Sequence, residues 1–384
     1  MMIYKIDGRI DSNNAHEWEE KLLSLVNTDP GEDIVIDASD LAYISSAGLR
    51  VLMKARKAAK GKFSVTDLSP EIYEIFDTTG FTELLDVRKK PREISLDGCE
   101  VIGKGFYGTV YRIDEDTIVK MYDSPDAIGM IENEKKMARM AFVKGIPTAI
   151  SFDIVRSGGA YGSVFELLKS KSFNDMIIDE PDRIDETIAT FTDFMREVHG
   201  TVMDPGTLPY ARDHFVEYLE TIRGLIGDDM ADRCRGLIEA LPDDLHVVHG
   251  DFHMKNVMMS DNEPMLIDMD TLSTGQPIFD LQGLYVTYMA FEEDEEDNSL
   301  KFLGIKKEVC AHMWDGIIRD YFKGTDEEKL KEIKDKIMLL AYIRFLHIIS
   351  LNQDVDNELG RKRIKHSKEH LNELIQRVTD LMIP

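Results

Sequence analysis

The chain has 384 residues, of which 43% are hydrophobic and 31% are charged. This composition excludes a disordered chain, and the length exceeds one ordinary hydrophobic core, so we expect at least two domains. The formal charge of −26 argues against nucleic acid as a partner, because binding to phosphates needs a basic patch. The acidic charge suits either a solvated surface or a cleft that attracts cations, and the sequence leaves both readings open.

Three widely spaced cysteines, Cys99, Cys234 and Cys310, form no C-x-x-C pair, so we predict buried or idle thiols and neither a disulfide framework nor a zinc site. The first residues lack the basic and apolar regions of a signal peptide. The longest apolar stretch, residues 337–351, is interrupted by Arg344 and His347 and is too short to cross a bilayer, so we interpret it as a buried helix. We therefore expect a cytoplasmic protein with no membrane partner.

The first ninety residues alternate short strands with helices, which predicts a small α/β domain. We expect strands at residues 3–10, 33–37 and 63–65, helices at 15–26 and 70–78, and a closing segment at 81–87. Ser45 and Ser46 precede another amphipathic run, and either serine can cap the helix that follows.

This segment resembles the STAS domain of anti-sigma factor antagonists. The resemblance rests on G-R-I-D at residues 8–11, D-L-A-Y-I-S-S-A-G-L at 40–49 and S-P-E-I-Y-E-I-F-D-T-T-G-F at 69–81. In that family a serine that maps onto Ser46 is phosphorylated to break binding to a partner protein, and the residue before it is often aspartate, whereas here it is Ser45. The resemblance implies a protein partner and makes Ser46 a candidate phosphorylation site, with an ordinary helix cap as the alternative.

A basic run with a proline, R-K-K-P-R at residues 88–92, is typical of a linker. We place the domain boundary there, with one domain at residues 1–90 and a second at 91–384.

The second domain begins with a glycine motif that includes Gly103, Gly105 and Gly108. A dinucleotide-binding turn would need a helix after these glycines, but the next residues alternate as strands at 109–113 and 117–122. The pattern therefore predicts a hairpin flap over nucleotide phosphates, as in protein kinases, with glycines where the backbone approaches the phosphates and with Val110 and Ile102 covering adenine.

Lys120 lies on the strand after this flap, where a kinase lysine binds the α and β phosphates. Its partner should be a glutamate on the next helix, for which we choose Glu134 over Glu132 because only one of them can face inward. A buried strand at residues 164–168 then predicts a hinge whose backbone near Glu166 to Leu168 binds adenine.

A loop between two apolar strands carries the remaining polar groups. It contains H-G-D at residues 249–251, Asn256 five positions after Asp251, and Asp268 after a second apolar run. This is the spacing of a kinase catalytic loop followed by the metal-binding aspartate. Asp251 would orient an acceptor hydroxyl, while Asn256 and Asp268 would hold Mg²⁺.

The H-G-D-F-H-M-K-N loop, the Asp268-Met269-Asp270 doublet and G-Q-P-I-F-D-L at residues 275–281 resemble the aminoglycoside and choline kinase branch of the protein-kinase-like fold. The resemblance implies an α+β bilobal domain, with lobes at about 94–167 and 168–384, and ATP-dependent phosphorylation of a hydroxyl. It also implies that Asp280 braces the catalytic loop. The acidic run at residues 292–297 is expected to be a solvated loop.

Two functions follow as hypotheses. The first is a MgATP-dependent phosphotransferase acting on a small hydroxyl compound, with ATP and Mg²⁺ as cofactors and a STAS-like regulatory module. The second is a regulatory adaptor whose kinase-like domain senses nucleotide or phosphorylates Ser46 or another protein. The C-terminal helices, which build the acceptor pocket in relatives, carry no pattern that identifies the acceptor.

Overall fold

The computed structural model describes residues 1–28, 31–104, 108–124, 127–351 and 354–384. These residues form two compact units, one comprising residues 1–97 and 154–161 and the other residues 98–153 and 162–384. The predicted glycine-motif residue Gly105 lies outside the described residues. No helix in the described ranges combines the length and the apolar character that crossing a bilayer requires.

The first unit is built on a sheet of four parallel strands in the order β1-β2-β3-β4. Its elements are β1 (Met2–Ile10), α1 (Ala15–Thr28), β2 (Ile34–Ile44), α2 (Ser46–Ala58), β3 (Phe63–Leu68), α3 (Pro70–Thr78), a 3₁₀ turn (Phe81–Glu83) and β4 (Asp86–Lys89). Parallel strands need helical crossovers, and the helices supply Trp18, Leu22 and Phe76 to the unit's core. The α/β expectation for this segment is confirmed.

Two details of the first unit differ from expectation. Strand β2 extends to Ile44, well past the predicted end at residue 37, because its polar second half continues to pair with β1. The basic run predicted as a linker contains the end of β4, and after Pro91 the strand β5 (Arg92–Glu93) pairs in parallel with β9 (Asp153–Ser157). The boundary at residue 90 stays a proposal.

The second unit begins with antiparallel strands. These are β6 (Glu100–Lys104), β7 (Gly108–Arg112), β8 (Thr117–Tyr122) and β10 (Ala160–Glu166), and they lie in the order β6-β7-β8-β10. The predicted hairpin is therefore present. Helix α4 (Ala127–Val143) follows β8 and carries both candidate glutamates.

The rest of the second unit is mostly helical around one large core. Its helices are α5 (Phe173–Asp179), α6 (Ile184–His199), α7 (Ala211–Ile226), α8 (Asp228–Glu239), α9 (Ile278–Tyr285), a π-helical turn (Val286–Ala290), α10 (Asn298–Leu303), α11 (Lys307–Tyr321), α12 (Glu327–Leu351) and α13 (Glu358–Arg377). Short strands lie between the helices: β11 (Ser170–Ser172), β12 (Val247–Val248), β13 (Val257–Ser260), β14 (Glu263–Leu266) and β15 (Ser273–Thr274). The predicted buried helix at residues 337–351 is the second half of α12.

The acidic run at residues 292–297 is only in part the solvated loop that was predicted, because Glu293, Glu296 and Asp297 are exposed whereas Asp294 is buried. Asp294 is buried, and its Oδ1 lies 2.6 Å from Nδ1 of His366 on α13. Glu295 accepts from Arg363, also on α13, at 2.9 Å. Two carboxylates of the run thus pair with basic side chains of α13 within the unit.

Candidate active site

The predicted catalytic loop lies between β12 and β13. Strand β12 pairs with β15, and β13 pairs with β14, so short ladders hold both ends of the loop. His249 is fully buried, and its Nε2 lies 3.0 Å from the carbonyl oxygen of Ile267, just before Asp268. The two segments identified from the sequence, around Asp251 and around Asp268, are therefore tied together by a buried histidine.

Gly250 occupies a position that only glycine can fill. Its φ is +84°, and a Cβ there would lie 2.7 Å from the backbone oxygen of Thr271. Thr271 also donates from its hydroxyl to the carbonyl of His249 at 2.7 Å. A glycine therefore lets the chain of the loop pass directly beside the segment that follows Asp268.

Asp280 holds the backbone of this loop. It is fully buried on α9, and its two oxygens accept from the amides of His249 at 2.8 Å and Gly250 at 2.6 Å. His199 completes the arrangement, with Nε2 2.9 Å from Asp280 and Nδ1 2.8 Å from the hydroxyl of Tyr321. Nothing local in the sequence marks His199 or Tyr321, because their role depends on the packing of α6 and α11 against the loop.

The carboxylate of Asp251 is held by cationic and polar groups. Arg344 donates to Oδ1 at 2.9 Å, Asn256 donates to Oδ2 at 3.0 Å, and Nε2 of His253 lies 3.3 Å from Oδ2. Burial alone would raise the pKa of Asp251, but His253 and Arg344 outweigh it and hold the pKa well below its usual range. Asp251 is therefore an ionised carboxylate that can accept a hydrogen bond from a hydroxyl.

Lys120 joins the two lobes of the second unit. Its Nζ lies 3.3 Å from Oε2 of the buried Glu134 and 2.5 Å from Oδ1 of Asp268. Tyr122 donates to the same glutamate. Burial would lower the pKa of Lys120, but Asp268 and Glu134 outweigh it and raise the pKa, so Lys120 stays a cation. Of the two glutamates considered from the sequence, the structure brings Glu134 to Lys120.

Asn256 and Asp268 fit the chemistry of a magnesium site. The Asn256 amide nitrogen donates to Asp251, which leaves its side-chain oxygen as a ligand, and Asp268 supplies a carboxylate. Within the described ranges no three His, Cys, Asp or Glu side chains are arranged to hold a metal by themselves. Mg²⁺ in phosphoryl-transfer sites is held by one or two side chains together with substrate phosphates, so this small donor set suits it.

Asp270 is a member of the site to which the sequence analysis assigned no role. Burial, and then the negative charge of Glu134, raise its pKa to about 6, and Asp268 and Asp251 add to the effect. Asn133 of α4 donates to its backbone oxygen at 3.2 Å. The carboxylates of Glu134, Asp268, Asp251 and Asp270 thus lie close enough for their charges to interact, and Lys120 offsets only part of the effect on Asp270.

The glycines of the hairpin have different surroundings. Gly108 lies where a Cβ would come 1.9 Å from the backbone oxygen of Met121, so packing between β7 and β8 requires this glycine. A Cβ added to Gly103 would make only ordinary van der Waals contact, with the Val110 side chain 3.7 Å away. The predicted approach of the backbone to the phosphates therefore remains a role for Gly103. At position 108, the packing of β7 against β8 is sufficient to explain the glycine.

One backbone N–H group of the predicted hinge is already hydrogen-bonded and cannot donate to adenine. Strand β10 ends at the exposed Glu166, and the Leu167 amide donates to the carbonyl of Asp116 at 2.7 Å. The Leu167 amide is therefore occupied, which narrows the predicted adenine contact to the backbone of Glu166 and Leu168.

In the first unit the structure distinguishes the two serines at the start of α2. The Ser45 hydroxyl accepts from the amides of Ala47 at 3.2 Å and Gly48 at 3.4 Å, which makes Ser45 the cap. Ser46 is the first helical residue and is exposed. Ser45 thus performs the capping role that an aspartate can perform, and the Ser46 hydroxyl is accessible.

The site has the arrangement expected of a kinase-type phosphotransferase, with Lys120 paired to Glu134, an H-G-D loop braced by Asp280, and Asp268 beside the lysine. The family model for the STAS domain matches residues 1–94, and that for the phosphotransferase enzyme family matches residues 98–308. The chain belongs to the phosphotransferase enzyme family and carries a STAS domain in front of the phosphotransferase domain. Both resemblances noted in the sequence are confirmed.

Similar proteins are known for each part. The Bordetella bronchiseptica protein named "Putative anti-sigma factor antagonist BtrV" is 36% identical over 91 residues, which cover 23% of this chain and 77% of that protein. The anti-sigma-B factor antagonist of Bacillus subtilis is 33% identical over 88 residues, covering 22% of this chain and 79% of that protein. The ADP-bound crystal structure of aminoglycoside phosphotransferase APH(2'')-Ib aligns with a TM-score of 0.50 and 14% identity, covering 80% of this chain and 99% of that one. At this identity the structural match shows the fold alone.

Proposed function

We propose that the protein is a MgATP-dependent phosphotransferase that phosphorylates a hydroxyl group of a small molecule, with its STAS domain as a regulatory module. The observation that carries the proposal is the convergence of Lys120, Glu134 and Asp268 with the ionised Asp251 in one unit. Such a set performs the two tasks of phosphoryl transfer, positioning and neutralisation of charge.

Each residue has a defined task in this reaction. Lys120, oriented by Glu134, binds the α and β phosphates, and the backbone around Gly103 covers them. The side chain of Val110 and the hinge backbone at Glu166 and Leu168 bind adenine. Asn256 and Asp268 would hold Mg²⁺, which would neutralise charge on the phosphates when bound.

Asp251 acts on the acceptor. The acceptor hydroxyl donates to the Asp251 carboxylate, its oxygen forms a bond to the γ-phosphorus, and the bond from that phosphorus to the bridging oxygen of ADP breaks. The bonding electron pair leaves with ADP, and the hydroxyl proton passes to Asp251. His253 and Arg344 keep this carboxylate ionised, and the contacts of Arg344 and Asn256 orient it while the acceptor binds.

The test is turnover of ATP. We expect Mg²⁺-dependent formation of ADP with at least one compound in a panel of amino-alcohols, sugars and aminoglycosides, and loss of that turnover in Asp251→Asn. The matched control is Asp244→Asn, which makes the same substitution at an aspartate that lies shortly before β12. No turnover with any compound, or equal turnover in Asp251→Asn, would contradict the proposal.

A second function rests on the exposed Ser46. Since Ser45 supplies the cap, the Ser46 hydroxyl is available for phosphorylation, and its phosphate would change the charge of a surface that binds a partner protein. Incubation with MgATP followed by mass spectrometry tests whether the protein phosphorylates itself. Phosphate on Ser46 in the wild type but not in Asp251→Asn would support the adaptor function, and an unmodified Ser46 would count against self-phosphorylation.

A further inference from the structure

Two polar side chains interrupt the apolar second half of α12, and the structure shows what they contact. Arg344 and His347 lie among buried neighbours such as Tyr342, Ile343 and Phe345. The Arg344 side chain is only 15% exposed. A guanidinium in such surroundings is unfavourable unless its charge and donors are matched, so its contacts require explanation.

Arg344 contacts the catalytic loop at two points. Nη1 donates to the backbone oxygen of Gly250 at 2.6 Å, and Nη2 donates to Oδ1 of Asp251 at 2.9 Å. One planar group thus joins the backbone of the loop to the carboxylate of the next residue. This fork fixes the rotation of the Asp251 side chain, which a lysine cannot do because its donors are not held in a plane.

The two oxygens of Asp251 are used differently. Oδ2 accepts from Asn256 at 3.0 Å and lies 3.3 Å from Nε2 of His253, whereas Oδ1 accepts from Arg344 at 2.9 Å. An ionised carboxylate has about four lone-pair sites, so Oδ1 keeps room for a further donor. An acceptor hydroxyl would therefore meet Oδ1, directly beside the guanidinium.

Neighbouring helices hold Arg344 in place. A Cβ added to Gly283 of α9 would lie 3.0 Å from Nη1, so this glycine makes room for the guanidinium. One turn along α12, His347 stacks on Tyr218 of α7 with ring centroids 4.1 Å apart, and its Nδ1 lies 2.7 Å from the hydroxyl of Thr221. These contacts fix α12 against α7 at the level of Asp251.

We propose that Arg344 is a positioning residue for phosphoryl transfer, which holds the Asp251 carboxylate so that Oδ1 faces the acceptor hydroxyl. The inference rests on the proposed function, because Arg344 acts through Asp251. It assigns a task to a residue about ninety positions further along the chain from the catalytic loop, outside every motif that the sequence analysis used.

The test measures MgATP hydrolysis, with water in place of the acceptor, together with MgATP binding. We expect Arg344→Gln to lower kcat about 100-fold while the dissociation constant for MgATP stays within about twofold of the wild-type value. Arg344→Lys keeps the positive charge but not the planar pair of donors, so its kcat should lie between those of the wild type and Arg344→Gln. The control is Arg377→Gln, which removes an ion pair with Asp335 between α12 and α13 and does not touch Asp251.

A second measurement does not depend on turnover. We expect the thermal midpoints of Asp251→Asn, Arg344→Gln and the double variant to be non-additive, because each single change leaves the other group without its partner. Additive shifts of the thermal midpoint would show that Arg344 and Asp251 do not interact. A wild-type kcat in Arg344→Gln, with turnover abolished in Asp251→Asn, would overturn the positioning role and leave the proposed function standing. Turnover unaffected by Asp251→Asn would instead overturn the proposed function.

Discussion

Lys120 and Asp268 lie 148 positions apart in the chain, yet Nζ of the lysine is 2.5 Å from Oδ1 of the aspartate. Lys120 belongs to the strand β8 and Asp268 to the turn after β14, so this contact joins the sheet of the second unit to its helical part. Glu134 contacts the same lysine from α4. Three separate elements therefore meet at one ammonium group.

The first prediction concerns this ammonium group. We expect Lys120→Met to lower MgATP turnover at least about 100-fold, because the phosphates lose a fixed cation in a partly buried site. The change should also destabilise the protein by about 3 kcal/mol, because Glu134 is left buried without its cation. Turnover assays and calorimetric thermal unfolding check the two effects.

The matched control is Lys171→Met. Lys171 also lies on a strand and contacts a carboxylate, that of Asp179 at 2.7 Å, but its side chain is 61% exposed. An exposed ion pair contributes little to stability, so this variant should unfold at nearly the same temperature as the wild type. Equal losses in both variants would show that Lys120 has no special role.

The second prediction concerns Gly250. Its φ of +84° and the backbone oxygen of Thr271 both oppose a side chain. We expect Gly250→Ala to cost about 3 kcal/mol or more and to abolish turnover, since the loop can relieve the contact only by moving Asp251. Gly324→Ala, at a φ of +90° with open space, should cost about 1 kcal/mol. A smaller loss for Gly250→Ala than for Gly324→Ala in thermal unfolding would contradict this account of the loop.

The third prediction separates the two serines of α2. Ser45→Ala should destabilise the protein by about 1 kcal/mol, because the amides of Ala47 and Gly48 lose their acceptor. Ser46→Ala should change stability by less than about 0.5 kcal/mol, and Ser46→Asp should be neutral or slightly stabilising because the first turn of a helix favours negative charge. Thermal unfolding of the three variants gives the order of their stabilities. If Ser46→Ala were less stable than Ser45→Ala, Ser46 would be the cap.

The fourth prediction concerns the cysteines. Burial raises the pKa of Cys234 to about 12 and that of Cys310 to about 11, whereas Cys99 is partly exposed. A raised pKa keeps a thiol protonated, so both buried thiols should be almost entirely un-ionised at pH 8. We expect a thiol reagent to label one cysteine rapidly in the folded protein and three in denaturant. Rapid labelling of Cys234 in the folded protein would contradict its buried position.

The parts of the site that could be predicted from the sequence are local. Asp251 and Asn256 share one loop, and the hairpin of β7 and β8 is visible as alternation, so short-range spacing was sufficient. The phosphotransferase and STAS assignments could also be made from the sequence, because each rests on several motifs in a fixed order.

The remaining members of the site depend on tertiary packing. Arg344 looks from the sequence like an interruption of an apolar helix, and only the approach of α12 to the loop makes it a partner of Asp251. The acidic run was predicted to be solvated, and the burial of Asp294 was missed for the same reason, since the partners of Asp294 and Glu295 on α13 lie far along the chain, 68 positions away in the case of Glu295 and Arg363. Long-range charge pairs leave no periodic pattern by which they could be found.

Calorimetric titration with MgATP tests the central claim most directly. We predict a binding heat with one nucleotide per chain, a requirement for Mg²⁺, and loss of that heat in Lys120→Met but not in Lys171→Met. The absence of a binding heat in the wild-type protein, or equal binding by both lysine variants, would contradict the assignment of this site to a nucleotide-dependent phosphotransferase.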